Sequence, residues 1–487
     1  MFTQTTLLPD EHLANLRAGT LAGIAAFVLI YFPTLEHYAI DDLLGLTPGP
    51  GNNAYADNLV PKGRYIAFLF SEAFEAIGIN IYPSYPVLLL ATQVAIGVMI
   101  TMFAALFRVP SPWLVALLTL AVSASPQNFE LMHFRHGIVI DAATYGGTAL
   151  LVLAYLRGLP RPWLIAPAVL MLGGYTSSLP ILLSCLAFFA ILDLQAGIRT
   201  LPNTVLGYGL VLLAALGIHY AVTSLLTSAY GMRASQSVAG DFGTLAKTWK
   251  ISWSSMKYVT LRSVYSTIPT AFHMCVAIVA MLAVAVTVRR GYLTAVALGL
   301  GTLVILTNFF NLYILPFEIN YLPGRSYLHV QVITAVSLIV LWAAVSRTWA
   351  RRAVLFTAGV AAVVFGTVAL DHSNGLAKIR GHDHLVAGDF VAALSEYDAP
   401  PRVYVHFDGR SVRQRERQDG TFGDLKSLFY ASWSRYRFLE RSGMPATTPR
   451  EKDADRIETF AAECDARRQE MFSHSIVRGE DHLYLCL

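Results

Sequence analysis

Long apolar stretches recur over the first three quarters of the chain and leave few folds open to it. A window of roughly 17 to 25 mostly apolar residues is long enough to cross a hydrocarbon core about 30 Å thick. About eleven such windows occur, two of them short, so we predict an α-helical polytopic membrane protein. The predicted spans are 16–33, 84–107, 113–125, 138–156, 162–176, 178–194, 204–226, 268–288, 292–314, 326–346 and 353–370.

Charged residues divide the chain into two parts. Residues 1–370 hold 32 of the 68 Asp, Glu, Lys and Arg residues, and the last 117 residues hold the other 36. We therefore predict a multi-spanning membrane domain over 1–370 and a soluble domain over 371–487. The basic residues stand at the ends of apolar stretches and form no patch, so nucleic acid is not an expected partner.

Short connections that carry arginine indicate the orientation of the spans. They occur at every second junction, and basic residues are biased toward the cytoplasmic side of a membrane. The first loop, the longer loops and the C-terminal domain are then predicted to be extracytoplasmic, as in a bacterial inner-membrane protein that faces the periplasm. The arginines concerned are Arg17, Arg108, Arg157, Arg161, Arg199, Arg289, Arg290, Arg347, Arg351 and Arg352.

The C-terminal domain has the pattern of a small α/β fold. Strands are predicted at 402–407 and 482–487, and the predicted helices are 384–397, 424–441 and 450–472. Cys464 and Cys486 both lie in this domain. Because the predicted orientation puts them in an oxidising compartment, we expect them to form a disulfide.

The predicted loop after the first span, residues 36–64, is unusually acidic. It holds four of the thirteen acidic residues of the membrane domain. Ionisable groups near hydrocarbon are costly, so this concentration indicates chemistry or ion binding. Asp41 and Asp42 are the candidate catalytic residues, and Asp57 and Arg64 are candidate substrate-binding residues. Capping of a span end is the structural alternative for the aspartate pair, and the pair could also hold Mg²⁺ or Mn²⁺ with waters.

An amphipathic helix is predicted directly after this loop, in GRYIAFLFSEAFEAIGI (63–79). Arg64, Glu72 and Glu75 share one helical stripe, and apolar residues occupy most of the other. This pattern is typical of a helix that lies at the membrane interface.

A second group of candidate substrate-binding residues lies in the predicted outward loop 125–137: Glu130, His133, Arg135 and His136. The two histidines are three residues apart, but no third ligand has a suitable spacing for a metal. Contact with a phosphate or sugar is favoured, since the arginine fork matches phosphate oxygens. Ordinary anchoring at lipid headgroups is the alternative.

The loop before the tenth predicted span supplies the last candidates. FEINYLPGRSYLHVQ (317–331) carries Glu318, Arg325 and His329. Arg325 is a candidate for holding a phosphate at membrane depth, with interface anchoring as the alternative.

Outward carboxylates, outward arginines and a large apolar body together suit transfer of a sugar from a lipid-phosphate carrier. Asp41 and Asp42 follow the first span, and Gly63 and Arg64 open the interfacial helix. This arrangement resembles the GtrII-type glucosyltransferases, which are polytopic GT-C-class enzymes of bacterial O-antigen modification. The loop here is lengthened by PGPGNNAYADN (48–58) between the two pairs.

The resemblance implies a GT-C-like membrane fold and a specific chemistry. The donor would be a polyprenyl-phosphate sugar, with glucose expected, and the acceptor a glycan such as the O-antigen of lipopolysaccharide. An acidic residue of the first outward loop would be the catalytic base, which here is Asp41 or Asp42.

Two other classes remain open. A transporter or flippase of lipid-linked saccharides is typically marked by internal repeats and by ionisable residues deep within spans. No repeat is evident here, and Asp141, near an outer span end, is a borderline case. An O-antigen ligase or polymerase is the other alternative.

Overall fold

The computed structural model describes the chain in separate ranges. These are residues 10–35, 59–78, 81–125, 128–129, 132, 138–175, 178–195, 200–231, 241, 243–244, 246–247, 250, 328–406, 428–429, 432–466 and 474–487. The chain divides into two compact units, which we call the helical unit and the C-terminal unit. Among the described residues, the helical unit ends at Leu370 and the C-terminal unit begins at Asp371.

The described part of the helical unit is entirely helices and short connections. A π-helical turn (Phe27–Tyr31) extends the first helix, and 3₁₀ turns precede the second (Val60–Lys62) and the sixth (Arg161–Leu164). The helices are α1 (Asp10–Ala26), α2 (Tyr65–Ala76), α3 (Ile81–Leu106), α4 (Pro112–Ser123), α5 (Ile138–Leu156), α6 (Ile165–Gly174), α7 (Leu179–Gln195), α8 (Leu201–Ala229), α9 (Leu328–Ala344) and α10 (Thr348–Leu394), of which α10 continues into the C-terminal unit.

Length and composition allow five of the described helices to cross a membrane. These are His12–Tyr31, Ser84–Leu106, Ile138–Leu156, Leu201–Ala229 and Thr348–Leu394. Four further apolar helices have 10–17 residues, and a helix of 12 residues is only about 18 Å long. A helical membrane protein is therefore confirmed, but the predicted count of about eleven spans is not matched. The predicted spans 268–288 and 292–314 lie outside the described residues.

Glycines let α1 and α3 pack with their backbones in contact. A Cβ atom added at Gly19 would lie 2.7 Å from the carbonyl oxygen of Gly97, and one at Gly23 would overlap the backbone carbonyl of Gln93. Small residues at helix crossings are typical of membrane proteins, where close packing replaces the hydrophobic effect between helices. The crossing fixes Gln93 beside the end of α1.

Helix α8 leaves much of its apolar surface uncovered. Leu206, Leu210, Leu213 and Leu225 are each more than half exposed. Such a surface is unfavourable in water but suits contact with lipid, which agrees with a membrane setting.

A three-stranded sheet forms the centre of the C-terminal unit. The strands are β1 (Arg402–His406), β2 (Ser475–Arg478) and β3 (His482–Cys486), in the order β1–β3–β2. Strand β3 is parallel to β1 and antiparallel to β2. The two predicted strands are confirmed as β1 and β3, whereas β2 was not predicted.

The helices of the C-terminal unit differ from the predicted ones. The predicted helix 384–397 is the end of the continuous helix α10, which stops at Leu394, and not a separate element. Helix α11 (Ser432–Arg441) starts later than the predicted 424–441. Helix α12 (Ala454–Ala466) starts four residues later than the predicted 450–472, and residues 467–472 of that prediction lie outside the described residues.

The predicted disulfide is present in the C-terminal unit. Cys464 of α12 is bonded to Cys486 of β3, and their Cα atoms are 5.6 Å apart. Both cysteines are buried beside Phe460 and Tyr484. The disulfide therefore ties α12 to the central strand of the sheet.

Candidate functional site

The predicted site residues fall mainly outside the part of the chain that the structure describes. Arg64 and His329 are described, as are the two cysteines of the disulfide. The other predicted residues lie outside the described ranges: Asp41, Asp42, Asp57, Glu130, His133, Arg135, His136, Glu318 and Arg325. Their roles stay predictions.

Arg64 lies at the start of α2, where a turn leads into the helix. The turn ends at Gly63, whose φ of 73° is in the left-handed region that favours glycine. The backbone amide of Arg64 donates to the carbonyl of Leu59 at 2.9 Å. The guanidinium carbon lies 5.1 Å from the centre of the Tyr175 ring, within range of a cation–π contact. The positively charged side chain of Arg64 is therefore held against Tyr175, at the end of α6.

The predicted interfacial helix is confirmed as a helix, namely α2. It buries Tyr65, Ala67 and Phe68, and it leaves Leu69 and Phe70 about half exposed. An amphipathic helix with exposed apolar side chains is suited to the headgroup boundary, although its position relative to a bilayer stays a prediction.

His329 is the second residue of α9 and is buried, with 2 % of its surface exposed. The sequence places it at the mouth of a span, together with Glu318 and Arg325. The structure shows an enclosed histidine at a helix start, and its two predicted neighbours lie outside the described residues.

The most unusual polar group of the helical unit is Asp141. It lies in the first turn of α5 and is completely buried. Neither carboxylate oxygen has a hydrogen-bond partner in the part of the chain that the structure describes. A buried carboxylate without partners is costly. The positive end of the α5 dipole offsets only part of that cost.

Charged and phenolic groups lie near Asp141. Arg64, Tyr31 and Tyr145 are all close enough to act electrostatically on it or to be acted on by it. The hydroxyl of Tyr31 donates to the carbonyl of Ser123 at 2.6 Å, and that of Tyr145 donates to Oδ1 of Asn128 at 2.8 Å. Both phenolic protons therefore point away from the carboxylate.

Two glutamines complete this group. Gln93 of α3 and Gln331 of α9 are 0 % and 2 % exposed. Gln93 lies within hydrogen-bonding reach of the Tyr31 side chain, and Gln331 of the Tyr145 side chain. Within the described ranges, neither contact has the geometry of a well-formed hydrogen bond.

We call this group the Asp141 cluster. Its members come from the π-helical turn after α1, from the turn directly before α2, and from α3, α5 and α9, so it lies where five segments of the helical unit meet. The cluster consists of Tyr31, Arg64, Gln93, Asp141, Tyr145 and Gln331. Sequence reasoning found Arg64 and noted Asp141, but it missed the other four. The sequence signal that could have identified these four residues is an amide or phenol side chain within an apolar window.

A second buried carboxylate of the helical unit, Asp193, is fully engaged. Its oxygens accept hydrogen bonds from the hydroxyls of Tyr155 at 3.0 Å and Tyr208 at 2.9 Å. Nη2 of Arg161 lies 3.4 Å from Oδ2 of Asp193, and the guanidinium of Arg161 also stacks on the Tyr208 ring at 4.3 Å. A buried network in which the carboxylate has hydrogen bonds and an ion pair stabilises the fold.

Among the described residues, no group of three or more His, Cys, Asp or Glu side chains could hold a metal ion. Asp41 and Asp42, which could hold Mg²⁺ or Mn²⁺ with waters, are not among those residues, so metal binding by this pair stays open.

Known proteins offer no guide to this arrangement. Comparisons of the chain with protein-family models, with curated proteins and with solved structures find no match.

Proposed function

We propose that this chain is a membrane glycosyltransferase. It moves a sugar, glucose by the resemblance to GtrII-type enzymes, from a polyprenyl-phosphate carrier to an extracytoplasmic glycan such as O-antigen. The observation that carries the proposal is the position of Arg64. This arginine belongs to the Gly63–Arg64 pair on which the resemblance rests. It lies directly before α2 in the helical unit, and its charge acts on the buried carboxylate of Asp141.

The reaction follows from the residue types. Asp41 or Asp42 accepts the proton of the acceptor hydroxyl while that oxygen bonds to C1 of the sugar. The bond between C1 and the carrier phosphate breaks, and the phosphate leaves with the bonding electrons. A nearby cation stabilises the negative charge on the departing phosphate, a role that suits Arg64 and the predicted Arg325.

The proposed location is the bacterial inner membrane, with the active site and the C-terminal unit on the periplasmic side. The disulfide between Cys464 and Cys486 supports an oxidising compartment. Thiol labelling of intact cells should leave both cysteines unmodified until a reductant is added. Labelling of both without reductant would contradict this orientation.

Replacement of the aspartate pair tests the function. We expect Asp41→Asn or Asp42→Asn, whichever removes the base, to lower sugar transfer by roughly 10²–10⁴-fold. Transfer would be measured in proteoliposomes with radiolabelled polyprenyl-phosphate glucose and purified O-antigen glycan. Asp241→Asn is the matched control, because Asp241 is an exposed aspartate of the helical unit. Wild-type activity in both single variants and in the double variant would contradict the proposal.

A transporter of lipid-linked saccharides is the second candidate, and Asp141 favours it. An ionisable residue buried within a span is typical of transport proteins, and Asp141 is completely buried in α5. Movement of a fluorescent lipid-linked sugar across the proteoliposome membrane without any sugar transfer would favour the transporter over the enzyme.

A further inference from the structure

We propose that two turns of the helical unit, at the end predicted to face the cytoplasm, bind the phosphate groups of anionic phospholipids. The first turn, 107–114, leads from α3 into α4, and the second, 157–164, leads from α5 into α6. This proposal is independent of the proposed function, because the turns carry none of the residues assigned to the reaction.

The two turns have the same local structure. Their sequences, FRVPSPWL and RGLPRPWL, share the pattern P-x-P-W-L at an interval of fifty residues. In both, one amide donates to the carbonyl five residues before it, and the preceding amide donates to the carbonyl three residues before it, as at many helix ends. The longer-range pairs are Val109 with Ala104 at 2.8 Å and Leu159 with Ala154 at 3.1 Å.

Arg108 occupies a backbone conformation that glycine adopts at lower cost. Its φ is 54°, and the residue at the same place in the second turn is Gly158, with a φ of 63°. A side chain in this left-handed region is strained. Arg108 is exposed, and in the part of the chain that the structure describes its side chain has no hydrogen bond or ion pair. Strain without an internal contact indicates that the guanidinium serves an external one.

Arg157 supplies a matching cation in the second turn. It is exposed, and among the described residues its side chain likewise has no hydrogen bond or ion pair. Arg161 differs, because its guanidinium donates to the carbonyl of Asn203 at 3.0 Å and pairs with Asp193. Each turn therefore presents one guanidinium to the outside, and the guanidinium fork matches phosphate oxygens.

Helix α7 holds the two turns at a similar height. The ring of Phe107 packs edge-to-face on Phe188 at 5.7 Å. The ring of Tyr155 stacks on the neighbouring Phe189 at 4.1 Å. Phe107 and Tyr155 stand one and two positions before the two exposed arginines, so both cations lie beside the same part of α7.

Exposed tryptophans indicate that this end of the helical unit lies at a membrane interface. Trp113 and Trp163 of the shared pattern are 74 % and 65 % exposed, and Trp349, two residues after Arg347, is 67 % exposed. Tryptophan is enriched at the boundary between hydrocarbon and water, where its ring contacts lipid and its N–H reaches polar groups. Phospholipid phosphates lie at that boundary.

Helix α10 gives the depth of this interface. Trp349, Phe356, Val363 and Leu370 follow one another at intervals of seven residues, and all four are exposed. Seven residues are about two helical turns, so these side chains form one apolar stripe, roughly 31 Å long. A hydrocarbon core is about 30 Å thick. The stripe therefore matches the core, and Trp349 lies at its edge.

Charge selects anionic phospholipids over neutral ones. A zwitterionic headgroup brings its own cation toward the arginines, whereas phosphatidylglycerol brings only negative charge. Basic side chains at a membrane surface are attracted to anionic lipids, and the two exposed guanidinium groups add to that attraction.

Titration with two lipids tests the proposal. The full-length protein in neutral detergent would be titrated with phosphatidylglycerol and with phosphatidylcholine, and bound lipid would be counted by native mass spectrometry. We expect tighter binding of phosphatidylglycerol, weakened by added NaCl. Arg108→Gly and Arg157→Gln should each weaken phosphatidylglycerol about fivefold, as expected for one basic side chain at an anionic surface, and should leave phosphatidylcholine unchanged.

Arg108→Gly separates lipid binding from folding. Glycine suits the left-handed φ, so in detergent without phospholipid this variant should unfold at the same temperature as the wild type or higher. Lys452→Gln is the matched control, because it removes an exposed cation of the C-terminal unit and should change neither affinity.

Three outcomes would overturn the proposal. The first is equal affinity of the wild type for the two lipids. The second is full affinity for phosphatidylglycerol, or an equal loss for both lipids, in the double variant Arg108→Gly/Arg157→Gln. The third is competition by glycerol 3-phosphate as strong as that by phosphatidylglycerol, which would indicate a site for a soluble anion.

Discussion

Two aspartates are buried at opposite ends of the helical unit, and their surroundings differ sharply. Asp193 accepts hydrogen bonds from two tyrosines and pairs with Arg161. Asp141 has no hydrogen bond from the described residues. Both carry the same desolvation cost in principle, but only Asp193 has the partners that offset it. The difference indicates that Asp193 stabilises the fold and that Asp141 serves another purpose.

Two buried acidic residues of the C-terminal unit follow the pattern of Asp193. Asp383 accepts hydrogen bonds from Arg380 and from the backbone of Leu428. Glu451 accepts them from the backbone of Lys452 and Asp453. Among the buried acidic side chains that the structure describes, Asp141 is thus the exception.

Removal of the cation beside Asp193 would make that site resemble Asp141 and should have the largest effect on stability. Arg161→Ala leaves a mostly buried carboxylate without its ion pair, which we expect to lower the free energy of unfolding by about 3 kcal/mol. Unfolding in mixed detergent and SDS micelles measures this change. Arg157→Ala is the control, because Arg157 is exposed at the same end of α5 and should cost less than about 0.5 kcal/mol. Equal effects of the two substitutions would show that the Asp193 network is not structural.

A smaller effect is expected from protonation of Glu451. Backbone hydrogen bonds from Asp453 and Lys452, together with Arg402 and Arg456, hold the pKa of Glu451 below its usual value. A carboxylate with a lowered pKa in the folded state contributes stability above its unfolded pKa, about 4.3. That contribution is lost as pH falls through the folded pKa. The hydrogen-exchange protection factors of β1 and β3 in the full-length protein, which are corrected for the intrinsic pH dependence of exchange, should therefore fall below about pH 4.

Glu451→Gln provides the comparison for that pH dependence. The variant should have lower protection factors than the wild type at pH 7 and should lose less protection at low pH, because it has no proton to gain at this position. An unchanged pH profile in the variant would mean that Glu451 does not contribute to the acid sensitivity of the C-terminal unit.

Several elements of this fold follow from sequence patterns alone. The apolar windows 84–107 and 138–156 correspond closely to Ser84–Leu106 and Ile138–Leu156, because a membrane helix must satisfy its backbone internally and be apolar outside. The pattern at 402–407 and 482–487 predicts β1 and β3. Strand β2 was missed because its four residues are too few to show an alternation, and pairing with β3 decides its conformation.

In the part of the chain that the structure describes, the number of membrane-length helices is lower than predicted for a physical reason. Windows 113–125 and 162–176 do form apolar helices, but α4 has 12 residues and α6 has 10. Hydropathy measures composition, whereas the length of a helix depends on where its caps fall. Pro112 starts α4, and Ser111 caps it by accepting the amide of Leu114.

The Asp141 cluster was only partly visible in the sequence. Gln93 and Gln331 carry no charge, so the scarcity of ionisable residues within the predicted spans does not reveal them. Their grouping with Asp141 depends on how α3, α5 and α9 pack, which no local pattern encodes. An amide in the middle of a predicted span is the signal that sequence reasoning could have used.

Parallel measurement of Asp141→Asn and Asp193→Asn tests the central claim most directly. Each purified variant would be assayed for its free energy of unfolding and for transfer from polyprenyl-phosphate glucose. The account predicts that Asp141→Asn is as stable as the wild type, or more stable by about 1 kcal/mol, and loses transfer. It predicts that Asp193→Asn is destabilised by about 1–3 kcal/mol and retains transfer when folded. A destabilised Asp141→Asn with wild-type transfer would contradict it.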